Sequence, residues 1–112
     1  MGVKMALIHV TNENFEEEVL ESEIPVIIDF YANWCMPCKM MAPVFESLSK
    51  EYEGKVKFMK LDTEKYPGAA QNFNIQGIPA LVLIDKQKEI GRIVGFASQE
   101  VLKKKIDSTI RR

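Results

Sequence analysis

Two spacings of apolar residues divide the chain into elements. Val26-Ile27-Ile28-Asp29-Phe30-Tyr31 is nearly continuous in apolar, β-branched and aromatic residues and is opened by Pro25. That pattern predicts a central strand buried on both faces. Phe15, Val19 and Leu20 recur at helical spacing and predict a helix over Asn12–Glu21, capped by Thr11. Met40, Met41, Val44, Phe45 and Leu48 give an apolar face to a second helix, from about Met36 to Tyr52, which Gly54 ends. Pro37 suits its first turn, whereas Pro43 lies inside and predicts a kink. Ala6–Val10 and Lys55–Asp62 are two further strands, and Pro67–Phe73 is a short helix. Ala80–Asp85 and Glu89–Val94 predict an antiparallel hairpin, although its connection lacks the usual Asn-Gly. Ser98 caps a last helix to about Ile110. The order βαβαβα followed by ββα predicts an α/β fold with a parallel first half and an antiparallel second half.

Length and charge narrow the function. A chain of 112 residues supports one domain, here taken as 1–112, with its own core. The net charge of -1 is too balanced to suggest binding driven by nucleic-acid phosphates or anionic lipid. The basic end, Lys103–Lys105 with Arg111–Arg112, reads as a solvated helix terminus that complements the dipole, with a partner-binding patch as the alternative. Met1–Val10 lacks the apolar stretch and cleavage site of a signal peptide, and Ala6 stands where a myristoylation motif needs Ser or Thr. Ile24–Ala32 is too short and too interrupted to span a bilayer. The expectation is a cytoplasmic monomer with neither nucleic acid nor membrane among its partners.

The chemistry concentrates at Cys35-Met36-Pro37-Cys38, which holds the only two cysteines of the chain. A bridge at this spacing closes a very small loop and stabilises by only about 2 kcal/mol on the chain-entropy scale. A structural staple would join distant segments, so local spacing points to reactivity or to metal. Residues three apart at a helix start share a face, with β-carbons about 5–6 Å apart, close enough to cycle between dithiol and disulfide. Cys35 lies at the helix N-terminus, where unpaired amides and the dipole favour a thiolate. An ordinary thiol with a pKa of about 8.5 is only about 3% ionised at pH 7. Cys35 is therefore the expected nucleophile, and Cys38, deeper and less accessible, the resolving thiol. A structural zinc needs four ligands, whereas the chain offers these two cysteines and His9, so no metal is expected.

The segment Asp29-Phe30-Tyr31-Ala32-Asn33-Trp34-Cys35-Met36-Pro37-Cys38-Lys39 resembles the active-site strand, loop and helix of the thioredoxin family. The resemblance continues through Lys60-Leu61-Asp62, Pro67-Gly68, Gly77-Ile78-Pro79 and Gly95, across essentially the whole chain. It implies a thioredoxin-like α/β fold, a central mixed β-sheet flanked by α-helices. It also implies a protein-disulfide reductase and electron carrier, recycled by a thioredoxin reductase and serving clients with reducible disulfides. No cofactor beyond the Cys35–Cys38 disulfide is implied.

The resemblance assigns further roles. Asp29 would be a buried proton acceptor for Cys38, with Lys60 as its charge partner; the plainer reading of Asp29 is a structural carboxyl satisfied by a neighbour. Pro79 would follow a cis bond in a turn that faces the cysteines. Trp34, Met36, Pro37, Ile78, Pro79, Gly95 and Phe96 would form the docking surface for client chains, although Trp34 also suits core packing and Gly95 an ordinary turn. The sequence departs from the family at Met36, where Gly is usual, at Tyr31, where many members have Trp, and at Ala80, where Thr is common. Tyr31 and Ala80 read as neutral, whereas Met36 alters the dipeptide that sets redox poise and partner fit. Two rival readings follow: a thiol oxidant or isomerase on the same fold, and a binding or chaperone module without turnover.

Overall fold

The computed structural model describes residues 7–110. Met1–Ala6, which include the start of the predicted first strand and most of the segment read for address signals, and Arg111–Arg112 lie outside the described residues. Five strands form one sheet: β1 (Ile8–His9), β2 (Val26–Tyr31), β3 (Lys57–Asp62), β4 (Ala80–Asp85) and β5 (Lys88–Val94). Their spatial order is β1-β3-β2-β4-β5, with β1, β3 and β2 parallel and β4 and β5 antiparallel to their neighbours. The helices are α1 (Met36–Ser49), α2 (Pro67–Asn72) and α3 (Gln99–Ile110). The parallel and antiparallel halves are those that the element order predicted, and the mixed sheet with flanking helices is the one that the resemblance implied.

Strand parity sorts the core into two layers. Ile27, Leu81, Leu83 and Phe58 face α1 and α3, where they bury against Met41, Phe45, Leu48, Leu102 and Ile106. Val26, Ile28, Phe30, Met59, Leu61 and Val82 face the opposite side, with Phe15 and Phe73 packed against them. Because side chains alternate along a strand, Asp29 and Tyr31 share the face of Ile27, and Lys60 shares that of Phe58. All three polar side chains thus point to the side on which α1 lies.

Local differences from the sequence reading have local causes. The first helical segment is much shorter than Asn12–Glu21. Thr11 Oγ1 accepts from the N–H groups of Glu13 and Asn14, and the Asn14 side chain donates to the His9 carbonyl, so these residues form a capped turn. Only Glu16–Leu20 follows as a wide π-type turn, closed by Glu21 N–H to Glu16 O at 3.0 Å. Strand β1 is shorter than predicted, although Val10 N–H still bonds the Lys60 carbonyl. Pro43 sits inside α1, which runs unbroken to Ser49 and tightens into a 3₁₀ turn over Lys50–Tyr52. The β4–β5 hairpin turns on Lys86 and Gln87, both at positive φ (53° and 70°), the backbone that Asn-Gly would otherwise supply. A register shift at Leu83/Ile84 puts a bulge into this pair, so Leu83 faces Gly91 while Ile84 faces Glu89.

Candidate active site

Strand β2 ends at Tyr31, and the loop Ala32–Trp34 delivers Cys35 as the N-cap of α1. Cys35 is extended (φ -89°, ψ 114°), and its Sγ accepts from the Cys38 N–H at 3.2 Å, the bond a capping oxygen usually takes. Pro37, in the first turn, removes an N–H that the helix could not have used. Cys35 and Cys38 form a disulfide with Cα atoms 5.2 Å apart. They pack with Ala32, Tyr31 and Ile78 in a small cluster of their own, apart from the two main core layers.

The expected difference in access between the two cysteines is not found in this disulfide form. Cys35 is 4% exposed and Cys38 3%. Their asymmetry is one of position: the Cys35 sulfur receives a helix-end N–H and lies 3.9 Å from the Ile78 carbonyl oxygen. Cys38 is one turn inside α1.

The Ile78–Pro79 bond is cis, as the resemblance implied. The Pro79 carbonyl accepts from Gly95 N–H at 2.7 Å, which ties the turn to the end of β5. Gly95 has φ 94°, a conformation that L side chains rarely adopt, so glycine is required there. Around the cysteines Trp34 is 67% exposed, Met36 66% and Phe96 45%; Ile78 is half-buried and Pro79 buried. The core reading of Trp34 therefore fails. Its indole Nε1 donates instead to Glu64 Oε2 at 2.7 Å. Glu64 had no signal in the sequence, because it follows β3 and reaches Trp34 only through the fold. Met40, one turn beyond Met36, is also exposed and extends this apolar rim along α1.

Asp29 lies beneath this surface, fully buried, and neither carboxylate oxygen has a hydrogen-bond partner among the described residues. What the carboxyl has instead is a charged neighbour, Lys60, at ion-pair distance. Burial pushes its pKa up to about 6, and the Lys60 ammonium partly offsets the rise. Asp29 and Lys60 are register partners on β2 and β3, with Nζ 3.9 Å from Oδ2. The same ammonium stands 4.5 Å from the centroid of the Tyr31 ring. A cleft of about 120 Å³ opens beside it, lined by Tyr31, Ala32, Asn33, Cys38, Lys39, Ala42 and Lys60. It brings the inner cysteine and the ammonium to one solvent-reaching space. Among the described residues no three His, Cys, Asp or Glu side chains gather where they could hold a metal ion.

A disulfide seated as a helix N-cap, beside a cis-proline turn on a mixed five-stranded sheet, defines a thiol–disulfide oxidoreductase. Comparison with known proteins gives the family. The thioredoxin family model matches residues 6–108. Thioredoxin C-2 of Corynebacterium nephridii is 43% identical, over 93% of this chain and 96% of its own. The thioredoxin of Buchnera aphidicola subsp. Schizaphis graminum is 43% identical, over 94% and 97%. That of Synechocystis sp. is 42% identical, over 83% and 87%. The chain belongs to the thioredoxin family and is a protein disulfide oxidoreductase.

Proposed function

We propose that the protein reduces disulfides of client proteins in the cytoplasm and is recycled by a thioredoxin reductase. The observation that carries this reading is the seat of Cys35: helix N-cap, amide-bonded, and ringed by exposed apolar side chains. In the reduced protein the Cys35 thiolate attacks a client disulfide, forming a Cys35–client mixed disulfide and releasing one client thiolate. Cys38 then gives its proton to Asp29 and attacks the Cys35 sulfur. The second client thiolate leaves, and the Cys35–Cys38 disulfide closes. Two electrons pass to the client, whose two thiolates take up protons. A carboxylate with a pKa near 6 is ionised at neutral pH and basic enough to accept a proton transiently. Lys60 balances its charge, and the cleft shared by Cys38 and Lys60 gives water a route for the proton.

Trp34, Met36, Pro37, Ile78, Pro79, Gly95 and Phe96 form the docking surface in this reading, with the Ile78 backbone as the line along which client chain pairs. The test is trapping. Cys38→Ser should accumulate mixed disulfides with clients, because attack occurs and resolution does not, whereas Cys35→Ser should accumulate none. Equal trapping by the two variants would remove the assignment. For the proton step, Asp29→Asn should slow client reduction most clearly near neutral pH; an unchanged rate across pH leaves Asp29 without that role.

A further inference from the structure

We propose that Tyr31 is a positioning residue for the buried charge pair, its ring seating the Lys60 ammonium against Asp29. The consequence for turnover rests on the reading of Asp29 as the proton acceptor of Cys38. Lysine carries a strongly hydrated point charge on a flexible stem, and at the mouth of a cleft it gains by turning towards water. Here its side chain is only 13% exposed, with Nζ both 3.9 Å from Asp29 Oδ2 and 4.5 Å from the Tyr31 centroid. The negative face of an aromatic ring attracts an ammonium at that range. Asp29 and Tyr31 are two residues apart on β2, and the register partner of Asp29 is Lys60, so one face of the sheet carries all three groups.

The surrounding charges offer Lys60 other places to go. Asp62 shares its strand face and is the register partner of Tyr31, but Asp62 Oδ1 accepts from the N–H groups of Glu64 and Lys65. His9 on β1 is the register partner of Lys60, and Lys39 reaches the cleft from α1. Lys65 and Tyr66 line a second cavity together with His9, Asp62, Tyr31 and Lys60 itself. Burial, then the carboxylates of Asp62 and Asp29, push the Tyr31 phenol up from its usual pKa, so the ring stays neutral at working pH. Without the ring the ammonium turns outward, and Asp29 loses the one charge that holds its pKa down.

The experiment follows the Asp29 carboxyl resonance against pH by ¹³C NMR in the full chain, in the disulfide form. Tyr31→Leu should raise the Asp29 midpoint by about half a pH unit, a threefold gain in proton affinity, from the usual worth of an ammonium on an exposed ring face. Tyr31→Met is a second ring-free variant and should do the same. Tyr31→Phe keeps the ring and should leave the midpoint in place. Lys60→Gln should raise the midpoint at least as far, and adding Tyr31→Leu to it should raise it no further. An unmoved midpoint in both ring-free variants overturns the proposal. So does a Tyr31→Leu shift that persists in the Lys60→Gln background, since the ring would then act on Asp29 directly. Failure of the proton-acceptor reading is separate: it appears as wild-type turnover in Asp29→Asn, whatever the midpoint does.

Discussion

Replacing Asp29 by Asn should change how stability depends on pH, because the fold raises the affinity of this carboxyl for its proton. Its pKa is about 6 in the native protein against 3.8 for an ordinary aspartate. A carboxyl that binds its proton more tightly when folded contributes fully below the unfolded pKa. That contribution is lost as pH rises through the folded value. The window therefore runs from about pH 4 to about pH 6–7. A rise of roughly two units corresponds to about 3 kcal/mol over the whole titration. Lys60 is already included, since its ammonium acts against the burial that causes the rise. The assay is urea unfolding of the oxidised wild-type and Asp29→Asn proteins at several pH values, compared as differences. Other carboxyls titrate in both proteins and cancel, and the burial cost of the amide is the same at either end of the window. The variant should gain about 2 kcal/mol on the wild type between pH 4 and pH 7, on the order of 1–2 M in urea midpoint. A difference that stays flat would refute the reasoning, for it would mean that Asp29 titrates normally inside the fold.

Three further outcomes are expected. In reduced protein near neutral pH, Cys35 should alkylate well before Cys38, measured by mass after brief labelling, because only Cys35 sits in the field of the α1 terminus; equal rates would remove that distinction. Met36→Gly should lower the reduction potential by no more than about 20 mV in titration against glutathione. Met36 is the first residue of α1 and largely exposed, so only its helix propensity, at most about 1 kcal/mol, is at stake. A higher potential in the glycine variant would reverse the argument. Leu102→Ala should destabilise by about 2–5 kcal/mol in denaturant unfolding, since α3 anchors its face of the sheet through this fully buried side chain and Ile106.

What the sequence revealed depended on whether a signal was local. Cys35 and Cys38 are three residues apart, and the apolar run of β2 is contiguous, so pairing, helix start and central strand are legible in the sequence itself. The isolated Asp29 stood out for the same reason. Contacts made across the sheet were not legible. Tyr31 read as a neutral exchange because the ammonium that meets it is carried by β3. Glu64 was silent because the Trp34 indole that it holds lies 30 residues away. The first helix was overestimated because Phe15, Val19 and Leu20 satisfy a helical period that the Thr11–Asn14 side-chain bonds interrupt at its start. The equal burial of the two cysteines was out of reach as well, since Ile78 packs with them from 43 residues further along the chain.

The two outer strands bear on a hazard common to every open sheet. Their unpaired backbone groups offer themselves to any extended chain, and exposed edges nucleate aggregation. Here, among the described residues, β1 pairs with β3 over two residues, a ladder too short to template a newcomer. Strand β5 is longer, but the bulge opposite Leu83/Ile84 distorts its hydrogen-bonding row. Lys88, Glu89 and Arg92 also charge that edge, and Arg92 is drawn aside to Glu89 and to the Phe73 carbonyl. Both edges of the sheet are therefore poor places for a further strand to add.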